Sequence, residues 1–121
     1  MEYKIDKPIY LQIADYICSQ IIQNNWREDE RIPSVRELGI LLSVNPNTVF
    51  RSFETVEQQG IIYNKRGLGY FVSTDAKQKI LDIYKKEFFG NILPEVFEKM
   101  KLYDISIDEI IKKYSDFSKT Y

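Results

Sequence analysis

Histidine is absent from the 121-residue sequence, and cysteine occurs once, as Cys18. Without histidine, the chain lacks the commonest general base, the commonest metal ligand and every histidine-containing catalytic triad. One cysteine cannot form a disulfide within the chain, which fits a reducing compartment. No apolar run reaches the roughly 18 residues of a membrane-spanning helix, and the polar start MEYKID is unlike a secretory signal. We therefore expect a cytoplasmic protein that is not an enzyme, does not enter a membrane and carries neither cofactor nor metal.

An excess of positive charge is also missing. The formal net charge is −1, from 17 Lys and Arg against 18 Asp and Glu. Bulk charge therefore gives no support for nucleic-acid binding, and such a function must depend on where individual cations lie. Apolar residues, in contrast, make up 44% of the chain, with nine Tyr and seven Phe. This is enough material for the packed core of one small domain with an appendage.

The first half of the chain contains start signals for three helices. Isoleucines recur every four residues after Pro8, which suits the first turn of a helix. Ser34 followed by Glu37 is a capping box that begins a second helix of about ten residues. In the stretch VNPNTV, Asn45 is a favoured N-cap and Pro46 a favoured first helical residue. The second and third helices are separated by two residues, which predicts a helix-turn-helix.

A hairpin and further helices follow. The β-prone residues 61–63 and 70–72 flank the loop NKRGLG, which predicts a β-hairpin with a cationic tip. Beyond it, apolar residues keep a helical spacing to about Tyr103, and a second capping box from Ser106 to Glu109 begins a last helix. The expected fold is mostly α with a small β-hairpin. It consists of a winged helix-turn-helix domain over residues 1–74 and a helical segment over residues 75–121.

The third helix has an outward face that is suited to reading DNA. Its inward face is apolar: Val49, Phe53 and Val56. Asn47, Phe50 and Arg51 share the outward face, where Asn can pair with adenine, Arg with guanine or phosphate, and Phe can meet a thymine methyl. The N–H groups of Asn47 and Thr48 would add phosphate contacts at the helix N-terminus. The alternative is a helix whose outer face is simply solvated.

The cationic residues outside this helix can also be interpreted either as DNA contacts or as ordinary structural residues. Arg36 can grip a phosphate or a base edge, or it can form a surface ion pair with Glu37 or Glu57 that contributes little. Lys65 and Arg66 can follow a phosphate backbone or enter the minor groove, with the loop glycines allowing close approach. The alternative there is a plain hairpin turn that needs glycine for its positive φ.

Several segments together resemble the DNA-binding domain of the GntR family of bacterial transcription regulators. They are PIYLQI, RIPSVREL, VNPNTV, GII and RGLGYFV, which occur in this order between residues 7 and 73. The resemblance implies DNA contacts from the second helix, the recognition helix and the wing: Arg36, Asn45, Pro46, Asn47, Thr48, Phe50, Arg66 and Gly67. Arg51 is added from the helix face and Lys65 from the loop charge.

Three positions depart from the family pattern. The family usually has glycine where Asn24 and Asp29 stand, and asparagine adopts the left-handed conformation more comfortably than aspartate. At the position of Phe50, some members carry a polar residue that reads bases or phosphates. Phe50 is therefore expected either to contact a thymine methyl or to have a structural role.

A short helical tail after the winged helix is similar to the YtrA-type subfamily, in which the tail dimerises. Physical reasoning agrees, because an isolated apolar helical hairpin exposes a large patch that a second copy would bury. The resemblance implies a cytoplasmic homodimeric regulator, a repressor, that binds a pseudo-palindromic operator in double-stranded DNA. The sequence identifies no small-molecule effector. The alternatives are a winged helix used for protein–protein association without DNA, and a small ligand-sensing or catalytic domain built on the aromatic tail.

Overall fold

The computed structural model describes residues 6–120 and contains two compact units, the first ending at Asp82. Within this range there are six α-helices, a π-helical segment and two β-strands. They are α1 (Ile9–Ile22), α2 (Val35–Leu42), α3 (Pro46–Gln58), β1 (Ile62–Lys65), β2 (Gly69–Val72), α4 (Ala76–Glu87), the π-helical segment Phe88–Ile92, α5 (Leu93–Leu102) and α6 (Ile107–Thr120). A mostly helical chain with one antiparallel hairpin confirms the predicted fold class.

Helix α1 is held by one apolar face. Its four-residue repeat is buried at Ile13, Ile17 and Ile21. The helix begins after Pro8, and its last turn leads to Asn24, which has a φ of 63°. Asn24 therefore adopts the left-handed conformation expected at the end of this helix. Asp29 also has a positive φ, at 60°, so both glycine departures take the conformation that glycine would provide.

Side-chain caps begin both helices of the helix-turn-helix. The Ser34 hydroxyl accepts the N–H of Glu37 at 3.1 Å, and the Glu37 carboxylate accepts the N–H of Ser34 at 3.1 Å. The predicted capping box is thus present at the start of α2. At the start of α3, the side-chain oxygen of Asn45 accepts a backbone N–H, and Pro46 is the first helical residue.

The turn between α2 and α3 is tight enough to require glycine at position 39. A Cβ atom on Gly39 would lie 2.9 Å from the carbonyl oxygen of Val44, closer than packed atoms approach. The N–H of Val44 donates back to the Gly39 carbonyl at 2.9 Å. Ser43, with a φ of 56°, provides the left-handed residue that ends α2. These contacts fix α3 closely against α2.

The wing is a hairpin with a third extended segment beside it. Strands β1 and β2 pair antiparallel, with Ile62 opposite Val72 and Lys65 opposite Gly69. Residues 29–32 lie along the other edge of β2, because the Asp29 N–H donates to the Val72 carbonyl at 2.8 Å and the Val72 N–H donates to Glu30 at 3.0 Å. The sequence predicted an extended connector here without its pairing to the wing.

The first unit continues past the boundary that the sequence suggested after residue 74. Ala76 and Ile80, in the first turns of α4, are 0% and 1% exposed. The Lys79 ammonium donates to the carbonyl of Gly60 at 3.0 Å, so α4 is attached just beyond the end of α3. These contacts extend the first unit to Asp82.

The second unit presents apolar side chains without burying them. None of the residues 83–120 is buried, although this range contains many large apolar residues. Pro94 lies in the first turn of α5, directly after the π-helical segment. Ser106 and Glu109 form the second predicted capping box, with bonds of 2.8 and 3.2 Å, and begin α6. This unit therefore has an apolar surface in place of a core of its own.

Candidate nucleic-acid interface

The outward face of α3 is exposed as the sequence predicted. Asn47 and Arg51 are exposed, and the Phe50 side chain is 47% exposed. On the opposite face, Val49 and Phe53 are fully buried. Phe50 therefore does not fill the core, and its ring is accessible from outside. Exposed side chains and core side chains therefore lie on opposite faces of this helix.

The backbone N–H groups at the start of α3 are already used. The Asn47 N–H donates to Oδ1 of Asn45 at 2.8 Å, and the Thr48 N–H donates to the Asn45 carbonyl at 3.0 Å. Asn45 therefore satisfies both N–H groups in this structure, and their contact with phosphates stays a prediction. The exposed side chain of Asn47 and the half-buried side chain of Thr48 remain available at this end.

Arg51 contacts helix α1, a relationship that the sequence did not suggest. Its guanidinium carbon lies over the ring of Tyr10, 3.8 Å from the ring centroid. The next residue, Ser52, is fully buried and donates a hydrogen bond of 2.6 Å to the carbonyl oxygen of Tyr10. Two adjacent residues of α3 therefore meet the same residue of α1. Periodicity could have found the inward position of Ser52, but not its partner in α1.

Arg36 is exposed on α2, and it forms no ion pair with any residue in the described range 6–120. Glu37 instead lies 3.7 Å from the guanidinium of Arg31. The backbone N–H of Ser34 holds the pKa of the Glu37 carboxyl below its ordinary value, and the Ser34 hydroxyl and the Arg31 charge act in the same direction. The ion-pair alternative for Arg36 is therefore not realised, and its charge faces solvent.

The two cations of the wing have different surroundings. Arg66 and Gly67 are exposed in the turn, where Gly67 has a φ of 81°. The Lys65 ammonium lies 4.6 Å from the centroid of the Phe71 ring, which stacks on the Tyr63 ring at 5.8 Å. Cation–π contact therefore holds Lys65 against one face of the hairpin. Arg66 is the cation at the tip.

Arg31 connects this wing to the helix-turn-helix. Its Nε atom donates to the carbonyl oxygen of Leu68 in the wing loop at 3.0 Å. A Cβ atom on Gly69 would lie 3.0 Å from the same Nε atom, so the absence of a side chain there admits the arginine. Arg31 lies in the family motif RIPSVREL, whose spacing does not predict this contact with the wing.

Two tyrosines of the wing have a raised pKa. Desolvation raises the pKa of Tyr63, and its hydrogen bond of 3.0 Å to the Asp29 carboxylate adds to this effect. Desolvation also raises the pKa of Tyr70, together with the negative charges of Glu57 and Glu54. Both hydroxyls therefore stay protonated and neutral near pH 7.

The second unit contains an open pocket between its helices α5 and α6. Its volume is about 580 Å³, and its lining is mainly apolar: Phe97, Met100, Lys101, Asp104, Ile105 and Ile107.

Residues 6–120 contain no group of three His, Cys, Asp or Glu side chains that could hold a metal ion. Within the same range, no helix has the length and apolar character required to span a bilayer.

The fold and the exposed face of α3 define a winged helix-turn-helix transcription regulator. The profile of the gntR family of bacterial regulatory proteins matches residues 9–72, and the chain belongs to this family. Its resemblance to the family is thereby confirmed. The match covers every residue of the candidate interface, from Tyr10 in α1 to Gly67 in the wing.

Two relatives from Bacillus subtilis (strain 168) illustrate the similarity. The HTH-type transcriptional regulator YhcF is 32% identical over 118 residues, which cover 98% of this chain and 96% of YhcF. The HTH-type transcriptional repressor YtrA is 35% identical over 75 residues, which cover 62% of this chain and 58% of YtrA. The similarity to YhcF thus includes the helical tail.

Two solved structures share the fold. A transcriptional regulator of the GntR family from Bacteroides thetaiotaomicron superposes with a TM-score of 0.82 at 43% identity, over 93% of this chain and 98% of that one. AraR(DBD) in complex with operator ORR3 superposes with a TM-score of 0.55 at 29% identity, over 60% of this chain and 88% of that one.

Proposed function

We propose that this chain is a homodimeric repressor that binds a pseudo-palindromic operator in the cytoplasm and has no catalytic activity. The observation that carries the proposal is the outward face of α3, where Asn47, Phe50 and Arg51 are exposed together. Polar and aromatic side chains on a helix that follows a tight turn match what a recognition helix presents to the major groove. The low net charge is compatible with this role, because specific recognition depends on placed donors.

The contacts divide into positioning and reading. Arg36 on α2 and Arg66 with Gly67 on the wing are placed to hold phosphates, which fixes the register of the protein on the duplex. Asn47, Phe50 and Arg51 read base edges. Asn45, Pro46 and Thr48 form the N-terminal end of α3 that approaches the groove first, and Lys65 supports the wing. In a dimer, the two recognition helices enter successive major grooves about one helical turn apart.

The relatives support this assignment. YtrA is named a repressor, and AraR(DBD) is bound to an operator in its solved structure. The two similarities cover 62% and 60% of this chain.

A second copy of the chain is the proposed partner of the second unit. Its large apolar side chains are exposed along the whole unit: Phe88, Phe89, Ile92, Val96, Phe97, Leu102, Tyr103, Ile107, Ile111, Tyr114 and Phe117. On α6, Ile107, Ile111 and Tyr114 are spaced four and three apart and so form one stripe. A stripe of this kind with no core beneath it needs a partner, and a two-fold copy offers the same stripe in return.

The oligomeric state tests the dimer. We expect light scattering to show a dimer at micromolar concentration, and Ile111→Glu to give monomers because a charge would enter the apolar interface. Lys112→Glu is the matched control, since Lys112 lies on the polar side of α6 and its variant should stay dimeric. A monomeric wild-type protein, or a dimeric Ile111→Glu variant, would overturn the role of this stripe.

DNA binding is tested with the region upstream of the protein's own gene. In a gel-shift titration at low salt, we expect the wild type to shift this duplex, and Arg51→Ala or Arg66→Ala to weaken the shift with an unchanged melting temperature. Lys77→Ala, on the exposed side of α4, is the control and should bind like the wild type. If the wild type shifts neither this duplex nor any duplex from a random library, a protein–protein association role replaces DNA binding.

A further inference from the structure

We infer that Tyr10 is a positioning residue for Arg51, and that its ring holds the guanidinium where it reads a base. This inference rests on the proposed function, because it concerns how the recognition helix discriminates between operators. Tyr10 belongs to α1 and therefore lies outside the helix-turn-helix formed by α2 and α3. Tyr10 thereby becomes a determinant of specificity that makes no base contact of its own.

The distance between the Arg51 guanidinium and the Tyr10 ring is suited to holding the arginine side chain in place. The guanidinium carbon of Arg51 lies 3.8 Å from the centroid of the Tyr10 ring, well inside the roughly 6 Å range of a cation–π contact. Contact with the face of a ring consumes none of the five N–H donors of arginine. Arg51 is exposed while Tyr10 is half-buried, so the ring acts as a fixed support and the guanidinium remains accessible.

A hydrogen bond from a buried serine anchors the backbone of Tyr10. The Ser52 hydroxyl donates to the Tyr10 carbonyl oxygen at 2.6 Å, and Ser52 is 0% exposed. The same hydroxyl also lies 3.2 Å from the carbonyl oxygen of Thr48, so Ser52 connects the first turns of α3 and α1. The backbone of Tyr10 is therefore anchored to α3 one residue after Arg51. This bond places the α1 backbone that carries the ring next to the α3 backbone that carries the arginine.

The neutral character of the support matters for DNA binding. Among residues 6–120, Arg51 forms no ion pair, although Glu54 stands three residues further along the same helix. A carboxylate partner would have to be displaced by DNA, whereas an aromatic ring leaves the full positive charge of the arginine available. The ring also restricts the Arg51 side chain before binding, so less conformational entropy is lost when the complex forms.

The experiment separates positioning from simple packing. The DNA is a duplex selected from a random library by the wild-type protein, together with its single-base-pair variants. Binding of each is measured for Tyr10→Phe, Tyr10→Leu and Arg51→Ala, and for the combination of Tyr10→Leu with Arg51→Ala. Thermal melting is recorded for every protein, and Tyr10→Met replaces Tyr10→Leu if the latter does not fold.

We expect Tyr10→Phe to behave like the wild type, because it keeps the ring. Tyr10→Leu should reduce the preference for the selected base pair over its variants by about two- to fivefold, which corresponds to the loss of an exposed cation–π contact. The reduction should occur at the same base pair at which Arg51→Ala reduces the preference. In the Arg51→Ala background, Tyr10→Leu should change nothing further. The dependence of binding on salt should be unchanged by Tyr10→Leu, since no phosphate contact is removed.

Other outcomes overturn the inference. If Tyr10→Leu weakens binding to all duplexes equally, or still acts without Arg51, the ring has only a packing role. If Tyr10→Phe is as defective as Tyr10→Leu, the hydroxyl and not the ring is the active part. A wild-type protein that selects no duplex would overturn the proposed function itself, and this result is distinct because it precedes any comparison of variants.

Discussion

The Nε atom of Arg31 donates a hydrogen bond to the carbonyl oxygen of Leu68 over 3.0 Å, which joins the segment before α2 to the loop of the wing. The same guanidinium lies 3.7 Å from the carboxylate of Glu37, the residue that completes the cap of α2. One side chain thus contacts both the wing and the start of α2. It adds a side-chain link to the backbone hydrogen bonds that already pair residues 29–32 with β2.

Arg31→Ala should therefore weaken operator binding by about fivefold, as the loss of a partly solvated hydrogen bond and ion pair is worth about 1 kcal/mol. The loss should arise because the wing no longer holds Arg66 in place. Binding measured by fluorescence anisotropy would then show that Arg66→Ala costs less in the Arg31→Ala background than in the wild type. Arg31→Lys serves as the control for charge, because it keeps the positive charge but removes the guanidinium; if the charge alone were sufficient, this variant would bind like the wild type. Additive losses would indicate that Arg31 acts independently of the wing.

The capping box of α2 makes stability depend on pH. The pKa of Glu37 is lowered from its ordinary value of 4.5, so the unfolded chain binds the proton more tightly than the folded chain does. Its contribution to stability is therefore fully present above about pH 4.5 and is lost as the pH falls through the lower folded pKa. Melting curves followed by Trp26 fluorescence between neutral and acidic pH measure this loss.

Glu37→Gln is the matched control for this measurement. Glutamine can still accept the Ser34 N–H, but it does not titrate and does not pair with Arg31. We expect the wild type to have the higher melting temperature near neutral pH, and the difference to shrink below the ordinary carboxyl pKa and to disappear once the pH is below the lowered pKa of the folded state. A difference that is the same at both ends of the pH range would show that ionisation of Glu37 does not contribute.

Sequence patterns predicted the local parts of this structure well. The caps Ser34–Glu37, Asn45–Pro46 and Ser106–Glu109 each depend on residues within three positions of one another, so the chain itself contains the whole signal. The same reasoning recognised Asn45 as a cap, but it did not show that Asn45 accepts the N–H groups of both Asn47 and Thr48.

Contacts between distant parts of the chain were outside the reach of these patterns. Arg31 with Leu68, and Tyr10 with Arg51, join residues whose proximity is determined by the packing of elements. Nothing in the spacing of charges distinguishes Lys65, which lies on aromatic rings, from its neighbour Arg66 at the tip. The candidate interface could therefore be located from the sequence, whereas the supports of its side chains could not.

The two wing cations should have unequal effects on the salt dependence of DNA binding. Each phosphate that a cation neutralises contributes about 0.9 to the slope of log Kobs against log salt, so Arg66→Ala in a dimer should flatten the slope by about 2. Lys65→Ala should flatten it less, because the Lys65 ammonium is held 4.6 Å from the Phe71 ring centroid. Titrations at several salt concentrations provide the measurement. A larger effect from Lys65→Ala would place Lys65 and not Arg66 on the backbone.

Truncating Ile80 should destabilise the winged helix although it lies beyond residue 74. Ile80 is 1% exposed, and removing a buried side chain of this size costs about 2–5 kcal/mol. Trp26 is the single tryptophan of the chain and lies in the first unit, so urea unfolding followed by its fluorescence reports on that unit alone. Lys77→Ala, an exposed position in the same turns of α4, should change the free energy of unfolding by less than about 0.5 kcal/mol. If Ile80→Ala left the Trp26 transition unchanged, the winged helix would be stable without α4, and its boundary would lie near residue 74.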